Sequence, residues 1–374
     1  MIKMKEVSST EVTLDWEAHD IPEDARENPF LDWLCSFAAY GDDGKLYWSG
    51  GSAIILAAEN VDIYATAIDW DTGIIKDIPG SVFKVADFPA RNLAVWKTLP
   101  GGTRKITRTD NAVIVTIGNS FKLVCSDDNT WHYTIEDKEK DFTVDFIHYG
   151  VGMPLWYGKE KPSYLTPHSI AYGYNWSGRV EGDLTIHGRK VHIKGAGVRE
   201  RYVAVDSSTA EIGGWEDWGW FHFDEAFGSM YEMKMGIKDM ALTVVDAGQL
   251  KTFPTGNLII THHDWAYLPA LDGFIPTKYT IRMEVEAGIL EFTALAVSGF
   301  TTGVKGLAPS TPVVTENWDH LQGTFTFKDG RVLPLTNGFG GMSIKQFKPY
   351  PEVFGLKLFS QGELSKDYIN VSTF

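Results

Sequence analysis

The chain has 374 residues, of which 44% are hydrophobic and 22% are charged, and these proportions are those of an ordinary globular protein. Its formal net charge is −15 and it has no run of Lys and Arg, so nucleic acids and other polyanions are excluded as expected partners. Thirteen Trp residues are an excess, and because an indole ring offers a large apolar surface and a π face, they indicate pockets for apolar, cationic or sugar ligands.

Cysteine content and hydropathy indicate the compartment. Cys35 and Cys125 are too few for a disulfide framework, which suits a reducing environment. The first residues lack the apolar run of a signal peptide, and the longest apolar stretch, 53–58, has only the length of a strand. We therefore expect a cytoplasmic protein with no integral membrane segment. The sequence predicts no particular oligomeric state.

Short β-strands dominate the pattern along the chain. The first 30 residues are acidic and irregular, with room for one helical turn in 20–29. A hairpin is predicted next, with a strand from Asp32, a turn at 41–44 and a second strand through Tyr47 and Ile55. Further β runs follow at short spacing, and no segment of twelve or more residues has helical periodicity. This pattern is typical of an antiparallel barrel or sandwich.

The stretch 195–224 concentrates charged and aromatic side chains. In its first half, strand alternation places Glu200 on one face and Arg199 and Arg201 on the other. Its second half predicts a strand that is buried on both sides, since both faces carry large rings. The residues expected on one of these two faces are Trp218, Trp220 and His222.

An internal repetition indicates two similar β-domains. The pairs 175–176 and 317–318, both Asn-Trp, are each followed by a glycine, an alternating strand, a Gly-Arg turn, a second strand and a Gly-x-Gly. The charged residues 199–201 of the first copy lie opposite the uncharged 342–344 of the second, so chemistry is expected in the first copy. We predict domains at 1–205 and 206–374.

Four of these segments also resemble those of a known family. They are Asp32-Trp33 with the turn 41–47, which looks like the family's opening hairpin; Gly195-x-Gly197-x-x-Glu200, which is similar to its central signature; 218–224, which looks like the first strand of its second domain; and 317–341, which resembles its closing strands. The family is the carotenoid 1,2-hydratase-like (AttH-like) superfamily of tandem lipocalin-like proteins, which includes decalin-forming Diels–Alderases and kievitone hydratase.

The resemblance implies an all-β fold of two tandem antiparallel lipocalin-like (calycin) barrel or sandwich domains that pack together. Val198 stands where the hydratases have Tyr, and Glu200 where they have Asp. Because the superfamily covers hydration, dehydration, cyclisation and cycloaddition, the resemblance implies an architecture more firmly than a reaction.

The function that we expect is acid-triggered hydration, dehydration or cyclisation of a small apolar polyene, terpenoid or polyketide. An acid protonates a double bond, and aromatic faces stabilise the resulting cation in a dry site. Glu200 is the expected acid, because neighbouring rings remove water from a carboxyl group and raise its pKa. The candidate catalytic residues are Glu200, Asp217 and His222, and the candidate substrate-binding residues are Trp156, Tyr172, Tyr174, Trp176, Tyr202, Trp218 and Trp220.

Other interpretations stay open. Glu200 would be a structural strut if it were ionised and paired with Arg199 or Arg201. The pocket would instead serve a pericyclic cyclase if it worked by orienting its substrate, or a carrier if it had no turnover. No cofactor is expected, and no metal, because His262 and His263 are adjacent on a strand and face opposite ways.

Overall fold

The computed structural model describes residues 12, 14–18, 30–55, 59–69, 74–76, 96–99, 103–138, 141–157, 163–164, 170–186, 188–204, 215–233, 238–268, 273–303 and 312–346. Within them lies one short helix, α1 (Leu14–Glu17). The predicted turn in 20–29 and the side chains of 51–100 lie outside the described parts.

The strands before residue 205 belong to the first sheet. They are β1 (Phe30–Gly41), β2 (Leu46–Ile55), β3 (Glu59–Asp69), β4 (Ile74–Lys76), β5 (Trp96–Leu99), β6 (Arg104–Arg108), β7 (Ala112–Ile117), β8 (Phe121–Ser126), β9 (Thr130–Asp137), β10 (Phe142–Gly150), β11 (Leu155–Tyr157), β12 (Ser163–Tyr164), β13 (Ile170–Ile186) and β14 (Arg189–Ala204).

The strands after residue 214 belong to the second sheet. They are β15 (Trp215–His222), β16 (Ala226–Met233), β17 (Lys238–Asp246), β18 (Gln249–Phe253), β19 (Asn257–Leu268), β20 (Gly273–Val285), β21 (Gly288–Gly303), β22 (Pro312–Phe327), β23 (Val332–Pro334) and β24 (Gly338–Gln346).

The all-β prediction is confirmed, because the described strands form two large antiparallel sheets. The chain forms two compact units, the first from Met1–Ile68, Asp77–Phe83 and Val95–Thr209, and the second from Asp69–Lys76, Lys84–Ala94 and Ala210–Phe374. The domain boundary at 205/206 stays a prediction. No helix among the described residues is long and apolar enough to cross a membrane.

The first sheet has the strand order β4-β3-β2-β1-β14-β13-β10-β9-β8-β7-β6. The predicted hairpin is present as β1 and β2, whose turn contains Gly44 at a φ of +78°, a left-handed conformation that favours glycine. In β7, alternate residues Val113, Val115 and Ile117 are buried, as period-two patterning requires.

The first sheet curls around its core. Strands β1 and β9 are four places apart in the order, which is about 19 Å in a flat sheet. Nevertheless the Tyr133 hydroxyl on β9 donates to the Leu34 carbonyl on β1 at 3.2 Å, and the Phe37 and Phe146 rings lie 4.7 Å apart. We call the side that carries this core the inner face and the opposite side the outer face.

The first core is rich in aromatic rings and includes both cysteines. Cys35 and Cys125 are free thiols and are fully buried. Its large members include Trp33, Phe37, Trp131, Tyr133, Phe146, Trp156, Tyr174 and Trp176, together with Trp16 from α1.

The second sheet has the order β18-β17-β16-β15-β24-β22-β21-β20-β19, and β17 approaches β19 so that the sheet curls toward closure. Its core contains Phe221 and Phe223 of β15, and Phe221 packs against Phe292 of β21 at 4.9 Å. Both faces of β15 are buried, as predicted, because Trp218 and Trp220 on the other face are also inaccessible.

The two sheets share one strand order around the repeated segments. Strands β1, β14 and β13 are neighbours in the first sheet, as β15, β24 and β22 are in the second. Arg199 lies opposite Trp176, and Gly340 lies opposite Trp318. The pairing of β22 with β24 shifts its register between Asp319 and 321, so the equivalent positions of the two copies differ from those of a simple sequence alignment. The position equivalent to Arg199 is Gly340, which carries no charge.

Candidate active site

A chain of hydrogen bonds on the outer face joins three side chains of the first unit. The antiparallel register places Glu200 of β14 opposite Asn175 of β13, and β11 brings Tyr157 next to them. The Tyr157 hydroxyl donates to the Glu200 carboxylate, and Asn175 Nδ2 donates to the Tyr157 oxygen at 2.6 Å. Asn175 is fully buried, so it fixes the phenol rather than sampling several positions.

A glycine shapes the wall of this cluster. Gly173 stands between Tyr157 and Tyr202 in adjacent strands, and the two rings meet edge to face at 5.2 Å. Gly173 has a φ of +131°, and a Cβ built there would lie 1.9 Å from the Arg201 carbonyl oxygen. Only glycine therefore allows this close approach of β14.

The cluster can move protons beside an apolar surface. A carboxylate and a phenol joined by a hydrogen bond form a two-member relay, and the amide donor fixes the direction of the phenol proton toward Glu200. Arg199 and Arg201 point to the inner face, as the alternation predicted, so the two guanidinium groups lie on the other side of the sheet from Glu200.

A second cluster of buried polar groups lies on the inner face. Glu17 of α1 has only 1% of its surface exposed, and its carboxylate forms an ion pair with Arg199 at 2.5 Å. It also accepts hydrogen bonds from the Tyr174 hydroxyl and from Trp131 Nε1, the latter at 3.1 Å. Arg199 is thus paired with an acidic residue that the sequence analysis left in an irregular segment.

Aromatic rings surround this ion pair. The Arg199 guanidinium carbon lies 5.4 Å from the Trp131 ring centre and 5.2 Å from that of Tyr174. Burial alone would lower the pKa of Arg199, but the Glu17 carboxylate and the neighbouring acidic groups Tyr133, Tyr174 and Cys125 together outweigh it and the pKa is raised, so the guanidinium stays charged. Burial raises the pKa of Tyr174 well above its usual value, which keeps its hydroxyl a donor.

Arg201 has a different environment on the same face. Its guanidinium stacks 4.1 Å from the Trp33 ring centre and donates to the carbonyl oxygens of Trp16, Asp32 and Tyr202. It therefore ties the backbone of α1 to strands β1 and β14.

A cleft of about 310 Å³ adjoins the inner cluster. Glu17 and Trp131 contribute to its lining, so the residue that pairs with Arg199 also borders the cleft. The remaining lining residues are Val12, Leu14, Arg108, Ser126, Asp127 and Asn129.

The second unit has its own buried pair. Asp217 of β15 is fully buried, and its Oδ2 lies 2.7 Å from Nε2 of His262, across the interior of the second sheet. The His262 ring also meets the Tyr279 ring edge-on at 5.5 Å. Glu232 lies opposite Asp217 on β16, and burial raises its pKa, with the Asp217 charge acting in the same direction.

The candidate residues predicted from sequence fall into three places. Glu200 and Tyr202 lie on the outer face of the first unit, whereas Tyr174, Trp176 and Trp156 lie in its core, on the opposite face from Glu200. Trp218, Trp220 and His222 share one face of β15, and Asp217 lies on the other. The side chain of Tyr172 lies outside the described residues.

Several residues of these clusters were not predicted. Tyr157 and Glu17 come from segments that carry no motif, Asn175 opens the repeated segment but was given no role, and His262 was considered only as a metal ligand. For Glu17 a signal existed, because two arginines on one core-facing strand side require an acidic partner.

Burial lowers the pKa of His222 to about 4, so its ring is neutral near pH 7.

Comparison with known proteins supports the fold. No family model and no curated protein sequence matches the chain. Among solved structures, a candidate AttH from Nitrosomonas europaea is 15% identical with a TM-score of 0.58, covering 92% of this chain and 100% of that one. Kievitone hydratase from Nectria haematococca is 13% identical with a TM-score of 0.52, covering 91% of this chain and 97% of that one. CghA with Sch210972 is 10% identical with a TM-score of 0.57, covering 92% of this chain and 96% of that one. The chain therefore has the fold of these tandem lipocalin-like proteins.

Proposed function

We propose that this protein is a cofactor-independent enzyme of the hydratase or cyclase type that acts on a small apolar substrate. The observation that carries the proposal is the hydrogen-bonded chain Glu200–Tyr157–Asn175 on the outer face. Kievitone hydratase, which shares the fold, is by its name a hydratase. The fold is thus compatible with water addition or removal.

In the proposed reaction Glu200 gives or takes the proton. Protonation of a substrate double bond by Glu200 leaves a carboxylate, which the Tyr157 hydroxyl stabilises by donating to it. The edge-on rings of Tyr157 and Tyr202 supply an apolar wall for the cationic intermediate. Capture of water with loss of its proton then ends the reaction as hydration, and attack by a second double bond followed by loss of a proton ends it as cyclisation. Dehydration begins instead when Glu200 protonates a substrate hydroxyl, which leaves as water before a carbon-bound proton is lost.

A pericyclic cyclase is the second candidate, and one observation favours it. The Tyr157 hydroxyl is positioned by Asn175 at 2.6 Å, and a fixed phenol can donate to a substrate carbonyl without transferring the proton. In that case orientation of the substrate would supply most of the rate acceleration.

Glu200→Gln and Tyr157→Phe test the proposal. The full-length protein is incubated with kievitone, an acyclic carotenoid and a linear polyene, and products are separated by mass and retention time. Gain of one water indicates hydration, loss of one water dehydration, and an unchanged mass at a new retention time cyclisation. For proton transfer we expect Glu200→Gln to lower kcat by about a hundredfold or more.

The control is Glu181→Gln, which removes an exposed carboxylate from the neighbouring strand β13 and should leave turnover unchanged. A Tyr157→Phe variant that loses activity while Glu200→Gln keeps it would favour the pericyclic candidate. Binding of the probes without any product would favour a carrier.

A further inference from the structure

The inner cluster has the composition of a carboxylate-binding site. Donors from three strands converge on one carboxylate: Trp131 from β9, Tyr174 from β13 and Arg199 from β14. All three side chains have at most 1% of their surface exposed, and Trp131 and Tyr174 belong to the first core. The wall therefore presents a preorganised set of donors to the interior.

Arg199 has more donors than its internal partner uses. Its Nη2 binds Glu17, whereas Nε and Nη1 are fully buried and have no hydrogen-bond partner among the described residues. A buried guanidinium favours two parallel bonds to one carboxylate. The single bond to Glu17 leaves this preference unmet, so a carboxylate that approaches along the guanidinium fork would bind more completely.

The segment that supplies Glu17 is short, and contacts with the rest of the first unit hold it in place. α1 has only four residues, too few for a helix that is stable by itself. Trp16 packs against Trp156 at 5.4 Å, and the exposed Asp15 pairs with Arg108 at the rim of the cleft. Glu17 also lines the cleft of about 310 Å³, so the cleft adjoins the residue that a ligand would have to displace.

We propose that the inner face of the first unit is a binding site for small apolar carboxylates, in which Trp16 and Glu17 take the place of the ligand. A bound ligand would set its carboxylate on Arg199 and its apolar body among the rings of the core. The proposal goes beyond the outer-face reaction, because the two sites lie on opposite sides of the first sheet.

Competition between α1 and the ligand sets the apparent affinity. If the site is open for only a small fraction of the time, the measured dissociation constant is the intrinsic constant divided by that fraction. Any substitution that weakens the contacts of α1 but leaves Trp131, Tyr174 and Arg199 in place should therefore lower the measured dissociation constant of the ligand. The gain should be specific to ligands with a charged carboxylate.

Fluorescence titration of the full-length protein with cis-parinaric acid and with its methyl ester tests this. We expect Glu17→Gln to tighten binding of the acid by about tenfold or more, since the neutral amide no longer competes for Arg199, and to leave the ester unchanged. The matched control is Glu17→Gln with Arg199→Met, which removes both members of the buried pair and should abolish the gain.

A milder variant covers the case in which Glu17→Gln does not fold. Asp15→Asn loosens α1 at the exposed rim and leaves the buried pair intact, and we expect it to tighten acid binding about two- to fivefold. The proposal is overturned if the folded Glu17→Gln protein binds acid and ester equally, if the double variant keeps the gain, or if Asp15→Asn leaves acid binding unchanged.

Discussion

At the residue scale, Glu17, Arg199 and His148 are ionisable groups buried in the first unit that have different relations to charge. Glu17 and Arg199 neutralise each other, and removal of one member of such a pair costs about 3–5 kcal/mol because the other is left charged. Among the described residues, His148 has no such partner. Burial lowers its pKa to about 3, and the positive charge of Arg199 acts in the same direction.

The neutral state of His148 predicts acid sensitivity. Its pKa is about 3 in the folded protein and 6.5 in the unfolded chain, so below pH 6.5 only the unfolded chain takes up this proton. Its contribution to stability is complete above pH 6.5 and falls by about 1.4 kcal/mol per pH unit down to about pH 3. His222 should add a similar fall in stability over a shorter pH range, because burial lowers its pKa to about 4.

Urea unfolding of wild type and His148→Phe at pH 7.5, 6 and 5 measures this slope. The variant should lose stability less steeply than wild type as the pH falls. His132→Gln, which changes a half-exposed histidine on the same sheet, is the control for the loss of a histidine that is not buried. Parallel slopes for wild type and His148→Phe would contradict the prediction.

At the element scale, the pair β13 and β14 is the feature that organises the first unit. These are two long neighbouring strands, and successive residues serve different faces: Arg199 and Tyr174 belong to the inner cluster, and Glu200 and Asn175 to the outer one. Alternation within one strand was readable from the sequence and correctly separated Glu200 from Arg199. The register between β13 and β14 was not readable from the sequence, because it depends on which residues meet across the sheet.

The close approach of these strands at Gly173 predicts a costly substitution. Gly173→Ala places a methyl group 1.9 Å from a backbone oxygen at a φ of +131°, so we expect a loss of several kcal/mol and reduced Glu200-dependent activity. Gly44→Ala is the matched control, because Gly44 also has a positive φ of +78° but a Cβ there meets nothing within 4 Å. Its cost should be about 1–2 kcal/mol.

Both variants are compared by chemical denaturation in the same buffer. Equal losses for Gly173→Ala and Gly44→Ala would mean that the backbone conformation alone matters and that the contact with Arg201 does not.

At the scale of the whole molecule, two sheets with a common strand order surround different interiors. The repeated Asn-Trp segments predicted this likeness, and turn glycines and strand alternation predicted the all-β class. The interiors were not predictable from those patterns. Glu17 meets Arg199 across 182 residues and Asp217 meets His262 across 45, and such contacts arise from the curl of each sheet rather than from local sequence.

The placement of the thiols makes the first unit separately observable. Cys35 and Cys125 are fully buried in the first core, and burial raises the pKa of both, so neither is a reactive thiolate while the unit is closed. Alkylation by iodoacetamide should therefore follow the opening of the first unit alone, whatever the second unit does. Intact-mass spectra over time should show both adducts appearing together, and early labelling of one thiol in the native protein would contradict this. The rate at which these two thiols are alkylated therefore measures how often the first unit opens in the native protein.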